Sequence, residues 1–410
     1  MKKYIFNNKE NTKYLVLCIA FIYTLLTISQ TFAVDSVYVW SNNSSNIPTS
    51  SEATLNFESE SVTLIDANTG KILFAKNEHA KLHPASVTKI MSILLIMEKI
   101  DNGELSLTDT VSCSENASNM GGSQIWLDPR ETLTVEEMLK AICVVSANDC
   151  VVAMAEYIAG SEEAFVQMMN DKAKTLGMTD TNFVNCHGLD DDNHLTSSHD
   201  IALMSKELMH NHPSVTKYTT IWTDTLRDGK SSLTNTNKLL RNYSGITGLK
   251  TGSTSLALYN LSASATRYNL SLIAVVMKAP SPTVRFNEAA KLLDYGFANY
   301  SYKSFAKKGD FVSNINIAKG IERNLNLIYE EDFGVIVKKG KEGNIKQTVK
   351  MSPNISAPIN SGDPLGTIEL SMDNELLGTI NIVSSKDVPK ISFIDMCSCL
   401  FSNWFNLQKF

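Results

Sequence analysis

The chain has 410 residues, of which 43% are hydrophobic and 20% are charged, and its formal net charge is -6. This composition is typical of a globular protein, and the length is sufficient for two domains. A weakly negative chain has no basic surface for binding phosphates, so the composition argues against a nucleic-acid partner.

The N-terminus has the pattern of a secretory signal peptide. Four lysines precede or flank an apolar run over residues 14–26, and Thr31-Phe32-Ala33 has small residues at the outer positions of a cleavage site. The run is short for a membrane span, although an uncleaved anchor is the alternative. We therefore expect export with removal of residues 1–33. Residues 34–58 are rich in Ser, Asn and Thr and are expected to form a flexible spacer.

Ordered structure is predicted to begin after the spacer. Two short apolar runs at residues 62–65 and 72–74 flank the turn-forming residues 66–71, which predicts a hairpin. Residues 90–97 are apolar nearly all round, lack Gly and Pro, and follow Pro84 closely. Because a proline favours a first helical turn, this run is predicted to be a buried helix.

Ser86 and Lys89 fall at the start of that helix. Residues three apart share a helical face, about 5–6 Å apart at Cβ, so the hydroxyl and the amine are within reach of each other. Burial and the positive end of the helix dipole disfavour the ammonium form, so Lys89 can accept the proton of a nucleophilic Ser86. The S-x-x-K pattern is weak by itself, because a helix start with a lysine that reaches solvent would also show it.

The same pattern occurs twice more, at Ser214 with Lys217 and at Ser304 with Lys307. Ser214 precedes the polar and β-branched residues 218–223, for which we predict a strand. Ser304 precedes a Lys-Gly-Asp turn. Only Ser86 leads into a long apolar helix, so the sequence context selects Ser86.

Three further helices are predicted between residues 134 and 177. A capping box at residues 134–137 begins the first, a glycine at position 160 ends the second, and residues 161–177 form the third. Ser146 and Asn148 lie in the junction between the first two helices, which are otherwise largely apolar.

The sequence pattern changes at residues 246–277, where apolar or alternating segments are separated by turns. This pattern predicts strands of a sheet. Prolines at 280 and 282 end this run. Five apolar residues then fall on one face of a closing helix: Phe286, Ala289, Ala290, Leu293 and Phe297. We therefore predict that residues 59–300 form an α/β (α+β) domain, with a sheet flanked by helices.

The rest of the chain has two further patterns. Residues 301–386 alternate short strands with Gly- and Asn-rich turns, which predicts a small all-β domain. In residues 387–410 apolar and polar side chains separate onto opposite helical faces, as in an amphipathic helix that lies on a membrane surface. The alternative for this tail is a helix docked on the β domain.

Three motifs stand in order along the chain: S-x-x-K at Ser86, S-x-N at Ser146 and K-T-G at Lys250. The S-x-N pattern recurs by chance, whereas K-T-G occurs once and lies in a predicted strand. Their order, spacing and context make coincidence improbable. In these motifs the chain resembles the penicillin-recognising serine acyl-transferases, and within them the low-molecular-mass penicillin-binding proteins that are serine-type D-Ala-D-Ala carboxypeptidases. The resemblance extends over nearly the whole mature chain.

This resemblance implies a penicillin-binding-protein/β-lactamase-like transpeptidase domain that removes the terminal D-alanine from peptidoglycan pentapeptide stems and is acylated by β-lactam antibiotics. It implies that Ser86 attacks the carbonyl between the two D-alanines, that Lys89 accepts its proton, and that Ser146 relays the proton to the leaving amine. Ser253 would complete the oxyanion hole and Arg285 would help hold the terminal carboxylate. The substrate-binding residues implied are Asn148, Lys250, Thr251, Gly252, Ser253 and Arg285. It implies no metal or other cofactor, and it places the protein outside the cytoplasmic membrane, attached to the outer face through its tail.

The chain departs from the family at three positions. Ala147 replaces the usual Gly inside S-x-N, and Leu258 and Asn260 stand where relatives tend to carry glycine and a smaller residue. None of these positions is the nucleophile or the base. We therefore expect an altered rate or substrate preference rather than a loss of activity.

Three alternatives remain at this point. A β-lactamase shares all three motifs, but those of the relevant kind place a Glu on a loop between the second and third motifs, and the glutamates of this interval fall in predicted helices. A metallopeptidase would use the His- and Asp-rich residues 187–212, although no metal-ligand motif is present there. A catalytically silent wall-binding protein would keep the fold without the activity.

Overall fold

The computed structural model describes residues 39–40 and 55–397. The predicted signal peptide, most of the spacer and the end of the tail lie outside the described residues. The chain divides into two compact units. The first unit spans Asn43–Lys307 and Asp332–Asn344, and the second spans Met1–Asn42, Lys308–Glu331 and Ile345–Phe410.

The strands and helices of the described residues are numbered in chain order. The strands are β1 Val39–Trp40, β2 Ser61–Asp66, β3 Ile72–Lys76, β4 Thr110–Ser112, β5 Thr132–Thr134, β6 Thr223–Leu226, β7 Ser231–Thr234, β8 Ile246–Thr254, β9 Leu258–Arg267, β10 Leu270–Ala279, β11 Tyr300–Ala306, β12 Phe311–Asn316, β13 Asn324–Tyr329, β14 Phe333–Lys338, β15 Lys346–Met351, β16 Pro364–Met372 and β17 Glu375–Ser384. The helices are α1 Lys89–Asp101, α2 Glu115–Ser118, α3 Val135–Val144, α4 Asn148–Ala159, α5 Glu162–Thr175, α6 Ser198–Asn211, α7 Thr216–Thr219, α8 Leu239–Asn242 and α9 Pro282–Asn299.

The first unit is built on an antiparallel sheet with the strand order β3-β2-β10-β9-β8. Side chains along a strand alternate between the two faces, so the apolar strand β10 contributes to both cores. Leu272 and Ala274 join the core that contains α9, whereas Ile273 and Val275 join the core built on the helices between β3 and β8. The predicted sheet flanked by helices is confirmed.

The closing helix α9 packs its predicted apolar face against the core that contains Leu272 and Ala274, and it also buries polar residues that the sequence did not indicate. Its buried residues are Arg285, Glu288, Ala289, Leu292, Leu293 and Gly296, whereas Phe286, Ala290 and Phe297 are only half-buried. Polar residues are buried because they bind backbone groups: Glu288 accepts hydrogen bonds from the N–H groups of Glu58 and Ser59. Apolar spacing alone could not indicate this.

Most helix ends lie where the sequence predicts them. Thr134 and Glu137 form the reciprocal capping box of α3, and Gly160, with a left-handed φ of 83°, ends α4. The prediction of a strand over residues 218–223 is wrong except at Thr223, where β6 begins, because Thr216–Thr219 is helical and residues 220–222 are irregular. Tyr218 is buried there and the Thr219 hydroxyl donates to the carbonyl of Thr247, so tertiary contacts override β propensity.

The second unit contains a six-stranded antiparallel sheet with the order β1-β15-β16-β17-β13-β12. Strands β11 and β14 pair with each other in the first unit, so the contacts divide the chain differently from a boundary at residue 300. Residues 393–397 form a helix on which Phe393 and Ile394 are exposed. In the described part of the chain, no helix combines the length and apolarity needed to cross a membrane.

Candidate active site

Ser86 lies in a 3-10 turn, Ala85–Thr88, that leads directly into α1 at Lys89. Ala85 has a left-handed φ of 49°, and its carbonyl oxygen would lie only 2.0 Å from a Cβ added to Gly188. Gly188 itself has a φ of 91°. A glycine at 188 is therefore required for the turn to pack against the following loop.

Lys89 is fully buried, and its Nζ has three oxygen neighbours. It lies 3.1 Å from Ser86 Oγ and donates to Asn148 Oδ1 at 2.6 Å and to the carbonyl of His187 at 2.6 Å. Burial, with a smaller contribution from the charge of Lys250, holds the pKa of Lys89 well below its usual value. The serine is thus placed beside an amine that favours its neutral form.

The second motif connects α3 to α4. Ser146 has a left-handed φ of 67° and is 4% exposed, and its hydroxyl has no hydrogen-bond partner within the described residues. Asn148 donates from its backbone to Ser123 O at 2.7 Å and from its side chain to Gly121 O at 2.6 Å. The motif therefore joins Lys89 to the loop at residues 121–123.

Lys250 is buried in β8, and its ammonium donates to the carbonyl of Thr251 at 3.0 Å. Burial lowers the pKa of Lys250 to about 7, and the charge of Arg285 acts in the same direction. The Thr251 hydroxyl donates to Thr236 Oγ1 at 2.7 Å. Two lysines with depressed pKa values therefore lie in the region of Ser86.

Gly252 brings the third motif against the first. A Cβ at this position would lie 2.9 Å from each of Pro84 O, Ser86 N and Val87 N. No side chain fits in that space, so glycine is required for β8 to lie on the serine turn. Ser253 follows on the same strand and is exposed, and its register partner is Tyr259.

Arg285 lies behind this strand, where it is 7% exposed. Its Nη1 donates to the carbonyls of Gly252 at 3.1 Å and Asn260 at 3.2 Å, and its guanidinium stacks on the ring of Phe286. Burial lowers its pKa to about 10, so it remains a cation at neutral pH. Its hydrogen bonds hold strands β8 and β9, a task that the sequence did not indicate.

The sequence suggested for the loop at residues 187–190 only a place in a metal-binding segment. The His187 carbonyl holds Lys89, and Asp190 accepts hydrogen bonds from the Thr254 hydroxyl at 2.5 Å and the Leu256 N–H at 3.3 Å. This loop thus connects Lys89 to the far end of β8. A hydrogen bond to a backbone carbonyl cannot be predicted from the amino-acid sequence, because every residue has the same carbonyl group.

The histidines expected for a metallopeptidase have separate partners. His187 accepts from the N–H of Leu189, His194 binds Thr88 Oγ1, and His212 binds Asp101. Burial lowers the pKa of His187 to about 3 and that of His194 to about 4. His187 and His194 are therefore neutral structural groups at pH 7.

Among the described residues, one trio has ligand atoms close enough for a metal: Glu98, Glu207 and His212. Lys172 Nζ, however, lies 2.5 Å from Glu98 Oε1 and 3.1 Å from Glu207 Oε1. An ammonium already balances these two carboxylates. We interpret the trio as part of an ion-pair network.

Family models match both parts of the chain. The model for D-alanyl-D-alanine carboxypeptidases of the Peptidase_S11 type matches residues 47–281, and the model for the C-terminal domain of penicillin-binding protein 5 matches residues 300–390. Together with the sheet and the contact between Ser86 and the buried Lys89, these matches define a penicillin-recognising serine enzyme. The chain belongs to the D-alanyl-D-alanine carboxypeptidase family.

Individual relatives agree with this assignment. D-alanyl-D-alanine carboxypeptidase DacF of Bacillus subtilis is 44% identical over 351 residues, covering 85% of this chain and 90% of DacF. DacC of Escherichia coli is 32% identical, covering 83% and 88%. The crystal structure of penicillin-binding protein 5 from Haemophilus influenzae superposes with a TM-score of 0.72 at 31% identity, covering 83% of this chain and all of that one. The comparisons favour a carboxypeptidase over a β-lactamase or a silent protein.

Proposed function

We propose that this enzyme removes the terminal D-alanine of peptidoglycan pentapeptides through an acyl-enzyme on Ser86. The observation that carries the proposal is the set of oxygens around Lys89 Nζ. A neutral amine has two N–H donors and one lone pair. The carbonyl oxygens of Asn148 and His187 can only accept, so they take the two donors and leave the lone pair for the Ser86 hydroxyl.

The first half of the reaction follows from this geometry. Ser86 Oγ attacks the carbonyl carbon between the two D-alanines while its proton passes to Lys89. The backbone N–H groups of Ser86 and Ser253 stabilise the oxyanion, a contribution typically of about 3–4 kcal/mol for one such donor. Ser146 relays this proton: its hydroxyl donates a proton to the leaving amine and takes one from Lys89, so Lys89 is neutral again when D-alanine leaves. The buried Ser146 hydroxyl has no competing partner within the described residues.

The second half is hydrolysis of the Ser86 ester. The neutral Lys89 accepts a proton from an incoming water as the water oxygen attacks the ester carbonyl. The bond from that carbonyl to Ser86 Oγ then breaks, and Lys89 returns the proton to Oγ, so the enzyme is restored to its starting state. A β-lactam enters the same first step, but its ring-opened product remains attached to Ser86. Slow release of that product is what separates a carboxypeptidase from a β-lactamase.

The third motif supplies substrate recognition in this proposal. Lys250 and Thr251 bind the terminal carboxylate, and Asn148 binds the peptide backbone. Gly252 lets that backbone approach the edge of β8, where it can add as a further strand. Arg285 contributes its charge from behind β8, through the carbonyl of Gly252, since its Nη1 is already bonded there.

Mass spectrometry of a penicillin adduct tests the nucleophile directly. We expect one adduct per chain, on Ser86, and none in Ser86→Ala. Ser214→Ala, at the look-alike pattern in another 3-10 turn, is the matched control and should label like the parent. Release of D-alanine from a pentapeptide must disappear with the Ser86 adduct. An adduct on Ser214 or Ser304, or rapid multiple turnover of nitrocefin, would contradict the proposal.

We also propose the location of the enzyme and its domain plan. Export through residues 1–33, a spacer at 34–58, a catalytic domain at 59–300, a β domain at 301–386 and a membrane-surface helix at 387–410 would place the site outside the cytoplasmic membrane. The apolar side chains of Phe393 and Ile394, both 75% exposed, support the last element. Deleting residues 390–410 should release the signal-cleaved protein from the membrane fraction. Retention after this deletion would refute the anchor.

A further inference from the structure

The side chain of Asn260 occupies a buried position between the central sheet and the turn that carries Ser86. Asn260 lies on β9 opposite Gly252 of β8, and it is 0% exposed. Its Nδ2 donates to the carbonyl of His83 at 2.8 Å and to the carbonyl of Pro84 at 2.9 Å. Its Oδ1 accepts from the N–H of Lys278 at 2.7 Å. One amide group therefore joins the sheet to the chain that enters the turn.

The acceptor side of this amide satisfies an irregularity of the sheet. The pairing of β9 with β10 shifts register between Val276 and Ala279, and Lys278 in that interval has a left-handed φ of 55°. A β-bulge leaves the N–H of the extra residue without a partner on the neighbouring strand. Asn260 Oδ1 accepts from that N–H, which fixes the orientation of the amide plane.

The donor side of the amide holds the serine turn. The Pro84 carbonyl also accepts from the N–H of Val87 at 3.3 Å, so it closes the turn on which Ser86 lies. Ala85, which lies between Pro84 and Val87, has a left-handed φ. This conformation costs a residue other than glycine about 1–2 kcal/mol. A strained turn keeps its conformation only where surrounding contacts determine it. The two bonds from Asn260 are such contacts.

The backbone of Asn260 is part of the same arrangement. Its carbonyl accepts from Arg285 Nη1, which also binds Gly252 O. Gly252 in turn lies against Pro84 O and Ser86 N. Asn260 thus contacts both strands and the serine turn, while the hydrogen bonds of its side chain go to the backbone of His83, Pro84 and Lys278.

Resting on the acyl-enzyme function proposed above, we propose that Asn260 is a positioning residue that sets the backbone of the Ser86 turn for acylation. It acts through the carbonyls of His83 and Pro84. An asparagine is required because one planar group must donate two hydrogen bonds and accept one. The side chain of Asn260 therefore has a defined structural task.

The test measures acylation by a chromogenic β-lactam at a series of concentrations, which separates the limiting rate from the dissociation constant. In Asn260→Ala we expect the limiting acylation rate to fall about 10- to 100-fold, because small displacements of a reacting atom have effects of this size. The dissociation constant should stay within about twofold of the parent, since Asn260 is not proposed to touch the ligand. Thermal unfolding of each variant is measured in parallel.

Ser262→Ala is the matched control. Ser262 lies on the same strand and the same face, is fully buried, and its hydroxyl bonds to Ser205 at 2.8 Å, away from the serine turn. It should lose stability but keep the parental acylation rate. Asn260→Asp is the second variant, used if the alanine variant does not fold. It keeps the side-chain volume, and it loses at least one of the two donors in either protonation state.

The outcomes distinguish this inference from the function on which it rests. A parental limiting rate in either folded variant at position 260 would overturn the positioning role. A slowed rate in Ser262→Ala equal to that at position 260 would also overturn it, because a general loss of packing would then explain both. If Ser86→Ala still forms the adduct, the acyl-enzyme proposal itself fails. Slow acylation with unchanged affinity at position 260 alone supports the inference.

Discussion

Lys89 Nζ lies 3.1 Å from Ser86 Oγ, at the junction of a 3-10 turn and a buried α-helix. The same nitrogen is held by two carbonyl oxygens from segments far along the chain. Its orientation is thus set by tertiary structure, while its distance from the serine is set by the local helix. The orientation of Lys89 and its distance from Ser86 therefore depend on different parts of the structure.

Replacing Lys89 by arginine should abolish acylation. A guanidinium stays protonated at every accessible pH, so it cannot accept the serine proton, and a positioned base typically contributes about 10²- to 10⁴-fold. The measurement is the rate of labelling by a fluorescent penicillin. Lys99→Arg, on the same helix and paired with Glu104 near the surface, is the control and should label normally. Labelling of Lys89→Arg within tenfold of the parent would exclude Lys89 as the base.

Affinity for anionic substrates should weaken as the pH rises through about 7. Lys250 is cationic below its pKa, which burial lowers to about 7, and it loses its charge above that value. We expect the KM for a peptide ending in a carboxylate to increase between pH 6 and pH 8.5. In Lys250→Arg the charge persists, so this increase should disappear. Lys238→Arg, an exposed neighbour, should retain it. A flat KM profile in the parent would count against Lys250 as the carboxylate ligand.

Gly252→Ala should block acylation even in molecules that fold. The added methyl would lie 2.9 Å from three backbone atoms of the serine turn, so either the strand or the turn must move. Overpacking of this kind typically costs about 1–3 kcal/mol. Gly103→Ala separates this effect from general destabilisation: its φ of 74° is strained for alanine, but no atom lies within 4 Å. It should lower the melting temperature and leave labelling intact. Comparable labelling of both variants would refute the close approach.

Stability should fall in mild acid because His194 is buried in its neutral form. Its folded pKa of about 4 is below the ordinary 6.5, so the unfolded chain binds more protons between these values and stability decreases as the pH falls from 6.5 to 4. The full loss is on the order of 3 kcal/mol for this shift. Urea unfolding at pH 7.5 and pH 4 measures it. His194→Gln should reduce the difference, whereas His210→Gln, at an exposed position, should not. An equal reduction in both would show that another group is responsible.

Local features of this fold are the ones that the sequence predicts. The spacing of Ser86 and Lys89, the capping box at Thr134 and the left-handed Gly160 each depend on neighbours within a few residues. Apolar alternation predicts the strands of the central sheet for the same reason. Of the two look-alike serines, only Ser304 has the predicted context: it lies in β11, and Lys307 follows the end of that strand. Ser214 lies instead in a 3-10 turn that leads into the short helix α7.

The features that the sequence misses depend on contacts between distant segments. The sequence alone does not show that the side chain of Asn148 accepts a hydrogen bond from Lys89, or that Gly252 packs against the Ser86 turn. Arg285 was expected at the substrate carboxylate, and the structure adds its bonds to two strand carbonyls. Backbone carbonyls are identical in every residue, so a site that uses them leaves little trace in a sequence.

The contact of Gly252 with the backbone of Ser86 has a practical consequence. Ser86, the nucleophile that we propose, keeps its position only when the 3-10 turn Ala85–Thr88 and strand β8 pack together, although they are far apart along the chain. Covalent labelling of Ser86 by a penicillin would therefore count native molecules. In a denaturation series, the labelled fraction would give the fraction of molecules in which the first unit is folded. A spectroscopic signal, in contrast, is an average over the whole chain.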